Sequence, residues 1–311
     1  MIRARSSLLG LLLGGALLMG AASARADGLA LATSELPAEA KKTLVKDVAA
    51  HKATHPETFE KVRDIQGIKP EVYKTYRNPI PMAGIELKRL GAGALLPMLS
   101  ALALDAPAVM LSEKEKEAYV IGLLQASSEL RDPRGGPVYT AIFESKATKS
   151  ADVLRAAAEA MGRLCGDAEL AALKKHAVAT DPLRGHAVRG LGQCRRKEGV
   201  EHLATLLGSA TDAAAAEPIA DAIGSAASSW AWKAMGAKAA PAAKDVQAIA
   251  AKALVGAFAK HKDLRVTAKK ALRLVESPDA AALIATARAV ADADTKSALD
   301  ALEKQIVPEK K

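Results

Sequence analysis

Apolar residues recur along most of this chain at spacings of three and four, the interval that gathers them on one face of an α-helix. Leu and Ala supply much of that apolar content, and both are strong helix formers. Runs of β-branched residues alternating with polar ones are missing, so no sheet is predicted. The pattern predicts an all-α chain of short helices, few of which could bury an apolar face alone.

A second, longer period lies over the first. A large apolar residue followed by Gly recurs at Leu90-Gly91, Ile121-Gly122, Met161-Gly162, Leu191-Gly192, Ile223-Gly224 and Val255-Gly256. Apart from one longer step between Gly122 and Gly162, these pairs recur about every 30 residues, a period that suits one helical hairpin per unit. Two units show the detail. Asp152, Leu154, Arg155, Ala158 and Cys165 reappear at one constant offset as Asp181, Leu183, Arg184, Ala187 and Cys194. A looser third copy runs from Asp263 through Arg265 and Ala268 to Leu272. The Asp is expected to cap the first turn, with Pro182 at the first helical position. The Gly is expected to let the paired helix cross closely. A second apolar helix follows each unit, at 168–179, 199–207 and 279–291.

The pattern Asp-Pro-x-x-Arg-x-x-Ala-x-x-x-Leu-Gly followed by a Leu-rich helix resembles the short bacterial HEAT-like repeat, first recognised in phycobilin lyases. The resemblance covers residues 82–294, is best at 151–210 and is poor at 211–262. It implies an α-α superhelix of the HEAT or armadillo-like solenoid type, with a concave surface and no single activity. It also implies that Arg155, Arg184 and Arg265 are structural and tie adjacent repeats together.

Two ends depart from the repeat. Residues 1–26 carry Arg3 and Arg5, then a Leu- and Gly-rich run, then Ala24-Arg25-Ala26, the order of a secretory signal peptide. Cleavage there predicts an exported protein, periplasmic or secreted. Residues 27–80 hold three helix starts marked by Pro37, Pro56 and Pro70 and are expected to form an N-terminal helical cap. The repeat solenoid then spans 81–306, and 307–311 is expected to be a polar tail. Residues 228–244, with both tryptophans, are expected to form a long inter-helix loop or irregular hairpin.

Charge changes the picture in one place. The chain carries +9, and three of its arginines fall in the leader. Segment 238–275 holds nine Lys or Arg against Asp245 and Asp263, so nearly all the excess is local. Arg265, Lys269 and Arg273 lie at i, i+4 and i+8, a single helical stripe, with Lys252, Lys262 and Lys270 nearby. These are the candidate residues for an acidic partner, or for anionic lipid or polysaccharide at the envelope. The alternative is a solvated lysine-rich face. Nucleic acid is disfavoured by export and by an aromatic content of 3%. Trp230 and Trp232 flank one Ala and cannot point the same way on a helix. They are further candidate contact residues.

No motif for catalysis, metal or cofactor stands out: Gly-x-x-x-x-Gly-Lys-Ser/Thr, Gly-x-Ser-x-Gly, His-Glu-x-x-His and Cys-x-x-Cys-His are all missing. His51 and His55 share a spacing of four, but Pro56 ends the helix and no third ligand is evident. His176, His186 and His202 match no metal pattern and are expected at the surface. Cys165 and Cys194 occupy equivalent places in adjacent units. Equivalent helices pack ~8–10 Å apart, whereas a disulfide needs Cα atoms within ~7 Å. A bridge and two small buried residues both remain open. The expected function is a non-catalytic scaffold holding a protein of the cell envelope. The alternatives are a polymer- or lipid-binding envelope protein and a lyase-type enzyme or accessory.

Overall fold

The computed structural model describes residues 27–65, 82–106, 111–148, 150–178 and 180–306. Every regular element among them is helical. The leader (1–26), the helix expected at Pro70, the boundary near residue 80 and the tail (307–311) lie outside the described residues.

The helices form two rows. The first contains α3 (Met82–Arg89), α5 (Glu113–Glu129), α7 (Ala151–Leu164), α9 (Arg184–Leu191), α11 (Ala213–Ala226) and α14 (Arg265–Val275). Each packs on the next, and α16 (Ala293–Ile306) follows α14. The second row contains α4 (Leu95–Ala103), α6 (Gly136–Glu144), α8 (Asp167–His176), α10 (Lys197–Ser209), α13 (Ala240–Lys260) and α15 (Ala280–Ala289). Between the rows, α4 rests on α5, α6 on α7, α8 between α7 and α9, α10 between α9 and α11, and α13 on α14. One apolar cluster, from Leu31 to Leu302, fills the space between them. α1 (Ala38–Thr54) and α2 (Pro56–Arg63) pack on α4 and on each other. The stretch of chain before them donates Leu29 N–H to Ala101 O and Ala30 N–H to Leu102 O, satisfying carbonyls at the end of α4.

Small residues set the spacing of the first row. A Cβ on Gly162 would strike the carbonyl oxygen of Gly190, and one on Gly190 would lie 2.6 Å from Ala158 O. The same holds between Gly122 and the Gly84 nitrogen (2.9 Å) and between Gly224 and Ala271 Cβ (2.8 Å). The close crossing therefore joins equivalent helices of neighbouring hairpins, rather than the two helices of one hairpin. Two apolar-Gly pairs do not take part. Gly91 is a turn residue at φ 68°, and Gly256 lies on α13 in the second row with open space around it.

This crossing also places the cysteines. Cys165 ends α7 in the left-handed conformation, and Cys194 follows α9 in a turn. Their Cα atoms are 5.4 Å apart and their sulfurs are bonded. Ordinary helix spacing would keep them out of reach; the Gly162–Gly190 contact brings them in.

Local chemistry differs from expectation in several places. Ser150, not Asp152, caps α7, its hydroxyl accepting from Val153 N–H. Pro182 lies in the turn just before α9. Asp212 does cap α11, accepting from Ala215 N–H at 2.8 Å. Arg155 pairs with Asp152 on its own helix (2.9 Å) and makes no ion pair to the next unit among the described residues. Arg184 makes no ion pair among the described residues, and its Nε is buried without a partner. Arg265 does join two units: it reaches Asp294 (3.2 Å) and Thr295 (3.1 Å) at the start of α16. The stretch around the tryptophans is neither a long loop nor a hairpin. It is a short helix, α12 (Ser229–Lys233), and a 3₁₀ turn leading into α13, with Pro241 in its first turn.

Three outcomes are expected. Gly162→Ala will destabilise by about 3 kcal/mol through overpacking, whereas Gly256→Ala will stabilise by about 0.5–1 kcal/mol, both read by urea denaturation. Reducing the Cys165–Cys194 bridge will cost about 3.5 kcal/mol on the loop-entropy estimate and add two hydrogens, seen as a mass gain of about 2 Da.

Candidate functional site

The exposed side of the first row carries a band of charged and polar side chains. α7 contributes Asp152, Arg155, Glu159 and Arg163, spaced so that all four share one helix face. α9 adds His186 and Arg189, α11 adds Glu217 and Asp221, and α14 adds Lys270 and Arg273. Close packing of the row makes these residues neighbours across helices. Thr267 Oγ1 on α14 donates to Glu217 on α11 at 3.0 Å.

Electrostatics mark the same continuity. Burial, then the charges of Arg155 and Arg189, hold the His186 imidazole below its ordinary pKa. Burial and the neighbouring Glu217 raise the Asp221 carboxyl, while Lys270 and Arg189 pull the other way. The band thus runs without a break across α7, α9, α11 and α14. It alternates in sign, with Arg155 and Arg189 toward one end and Glu217 and Asp221 set between them and Lys270.

Arg265, Lys269 and Arg273 do lie along one helix, α14, but the basic segment around them is divided and partly neutralised. Arg265 is only 18% exposed, is tied to Asp294, and lies over the Phe258 ring at 5.6 Å. Lys262 is paired with the same Asp294 at 3.1 Å. Lys252 stands on α13 in the second row, beside Lys260 and His261 at a cleft of about 460 Å³ floored by Leu207 and Ile249. Lys269 is half-buried, which leaves Lys270 and Arg273 exposed on α14. Consecutive positions in sequence are divided between two rows, so the local excess of charge is dispersed in space.

The tryptophans separate cleanly. Trp232 is 4% exposed and donates its indole N–H to Ala226 O at 2.9 Å. Trp230 is 78% exposed on the same short helix. His51 Nε2 donates to Gly93 O at 2.9 Å, so its ring serves the contact between α1 and the turn before α4. Among the described residues, no three His, Cys, Asp or Glu side chains converge to hold a metal ion, and no helix is long and apolar enough to cross a membrane.

One cluster escaped the sequence reading. His176, expected at the surface, is buried at the end of α8, edge-on to Phe143. Its Nε2 lies 2.9 Å from Glu144 Oε1 at the end of α6, and its Nδ1 lies 2.8 Å from Asp181 Oδ2 ahead of α9. Glu144 and His176 stand one repeat period apart, so the period itself was the available signal. Burial opposes ionisation of Glu144, but hydrogen bonds from His176 and Lys175 outweigh it and hold the carboxyl below its usual range. Asp181 is likewise held low: against burial, it accepts from Leu183 N–H and from His176.

A scan against known family models and a search of curated proteins find no match to this chain.

The His176 cluster yields a pH prediction. Both carboxyls have folded pKa values below their unfolded ones. Their contribution to stability is complete above the ordinary carboxylate range and is lost as pH falls through the lowered folded values. His176→Ala is expected to cost about 2 kcal/mol at neutral pH and to reduce the further loss of stability below pH ~4, measured by denaturation across pH.

Proposed function

We propose that this chain is an exported, non-catalytic scaffold of the HEAT-like type, which holds a protein partner against the exposed face of its first helix row. The observation that carries the reading is the charged band crossing α7, α9, α11 and α14. Its residues come from four successive units, so it offers an extended surface rather than a point of chemistry. The two-row packing, the near-constant period and the N-terminal α1–α2 pair covering α4 all agree with a superhelix and an end cap. The leader-like residues 1–26 support export, as does a cysteine pair suited to an oxidising compartment.

The alternative, capture of anionic lipid or wall polymer by segment 238–275, has weaker support. Lys262 and Arg265 are committed to Asp294, and Lys252 stands in the other row from Lys270 and Arg273. A lyase-type activity has no supporting constellation of side chains among the described residues.

The test is a pull-down from envelope extract with the full chain and two charge-reversed variants. One carries Arg189→Glu and Lys270→Glu, the other Lys252→Glu and Lys260→Glu. The expected result is a stoichiometric protein partner lost at least tenfold by the first pair and kept by the second. Retention on purified wall polymer that only the second pair abolishes would overturn the reading in favour of the alternative.

A further inference from the structure

Three arginines stand near the ends of three successive helices of the first row. Arg131 follows α5, Arg163 is in the last turn of α7, and Arg195 follows α9, with the same interval separating each from the next. α7 packs between α5 and α9, and both Arg131 and Arg163 act on the charge of Arg195, so the three side chains gather near the ends of these helices. Arg163 Nη1 donates to Ser128 Oγ on α5 at 3.0 Å, which ties the middle member to the unit before it.

What neutralises them is meagre. Glu159 is 3.8 Å from Arg163. Arg195 donates to a neutral carbonyl, Gly192 O at 3.0 Å, and has no carboxylate partner among the described residues. The Arg131 side chain has no hydrogen-bond or ion-pair partner among the described residues, and its backbone holds the uncommon φ of 51°. The neighbouring arginines behave otherwise. Arg134 is paired with Asp132 at 2.7 Å, and Arg196 with Asp167 at 2.6 Å. Burial, followed by the charges of Arg131 and Arg163, pushes the Arg195 guanidinium down to about 10. A helix C-terminus favours one cation, by about 0.3–1 kcal/mol. That accounts for a basic residue at each helix end. It does not account for three that repel one another while the nearby carboxylates pair with other arginines.

We infer that Arg131, Arg163 and Arg195 form a binding site for a phosphate-type dianion, either free or as a phosphomonoester group. Guanidinium forks suit such an oxyanion because each presents two parallel N–H donors to two oxygens. The proposal does not depend on the scaffold reading: Arg163 also borders the charged band, but Arg131 and Arg195 lie outside it and carry the test.

The full, disulfide-bonded chain is titrated with inorganic phosphate in chloride buffer at fixed ionic strength, by calorimetry and by thermal denaturation. The expected result is saturable binding with a rise in Tm. Arg195→Gln is expected to raise Tm in phosphate-free buffer, because it removes a buried like charge, and to weaken phosphate binding at least tenfold. Arg131→Gln, at an exposed position, is expected to weaken binding similarly, and it carries the test if the first variant fails to fold. Lys304→Gln, at an exposed position on α16, is the control of equal charge and should bind as the parent does. Phenyl phosphate replaces inorganic phosphate in a second arm: tighter binding supports the site and assigns a monoester, and weaker but saturable binding supports it and assigns the free ion. No saturable binding of either probe, or equal affinity in the parent, Arg131→Gln and Arg195→Gln, overturns the proposal.

Discussion

Along the first row, the backbone of one helix lies against the backbone of the next, because the side chains that would separate them are missing or are single methyl groups. Gly162 meets the Gly190 carbonyl, Gly122 meets Gly84, and Gly224 meets Ala271. Such a contact leaves no slack: even one methyl group cannot be absorbed without moving a whole helix. It also fixes how far apart equivalent residues of successive units can be. The cysteines come within bonding reach for this reason, and so do Thr267 and Glu217 across α11 and α14. Like charges are brought together by the same geometry, so the repulsion at Arg195 is a consequence of the packing as much as of the sequence.

Much of the fold was legible from spacing. The helices expected at 168–179, 199–207 and 279–291 appear as α8, α10 and α15, with small shifts at their ends. The units beginning near Asp152, Asp181 and Asp263 became α7, α9 and α14. Their chemistry was less legible. A repeat places an Asp near each helix start, but which oxygen reaches the first free N–H depends on fine local geometry. Ser150 takes the role at α7, which releases Asp152 to pair with Arg155.

The candidate site was read poorly, for a definite reason. Counting charge along the chain treats neighbours in sequence as neighbours in space, and that holds only within one helix. Residues 238–275 cross from α13 to α14, hence from one row to the other, and Asp294, well outside the segment, neutralises two of its members. The relevant neighbours sit about one period away. Glu144 pairs with His176 at that offset, and Arg131, Arg163 and Arg195 are spaced by it too, so comparing residues one period apart is what reveals them.

The two rows do not pack alike throughout. From α3 to α9 the first row is tight while α4, α6, α8 and α10 touch only sparsely. From α10 onward α13 and α15 also pack fully against their row neighbours. The change coincides with α12, a helix outside both rows, and with Ala271 standing where earlier units have Gly. Trp230, 78% exposed, stands on that helix. The regular alternation of the two rows is thus interrupted at α12, and a large aromatic side chain is left exposed at the interruption.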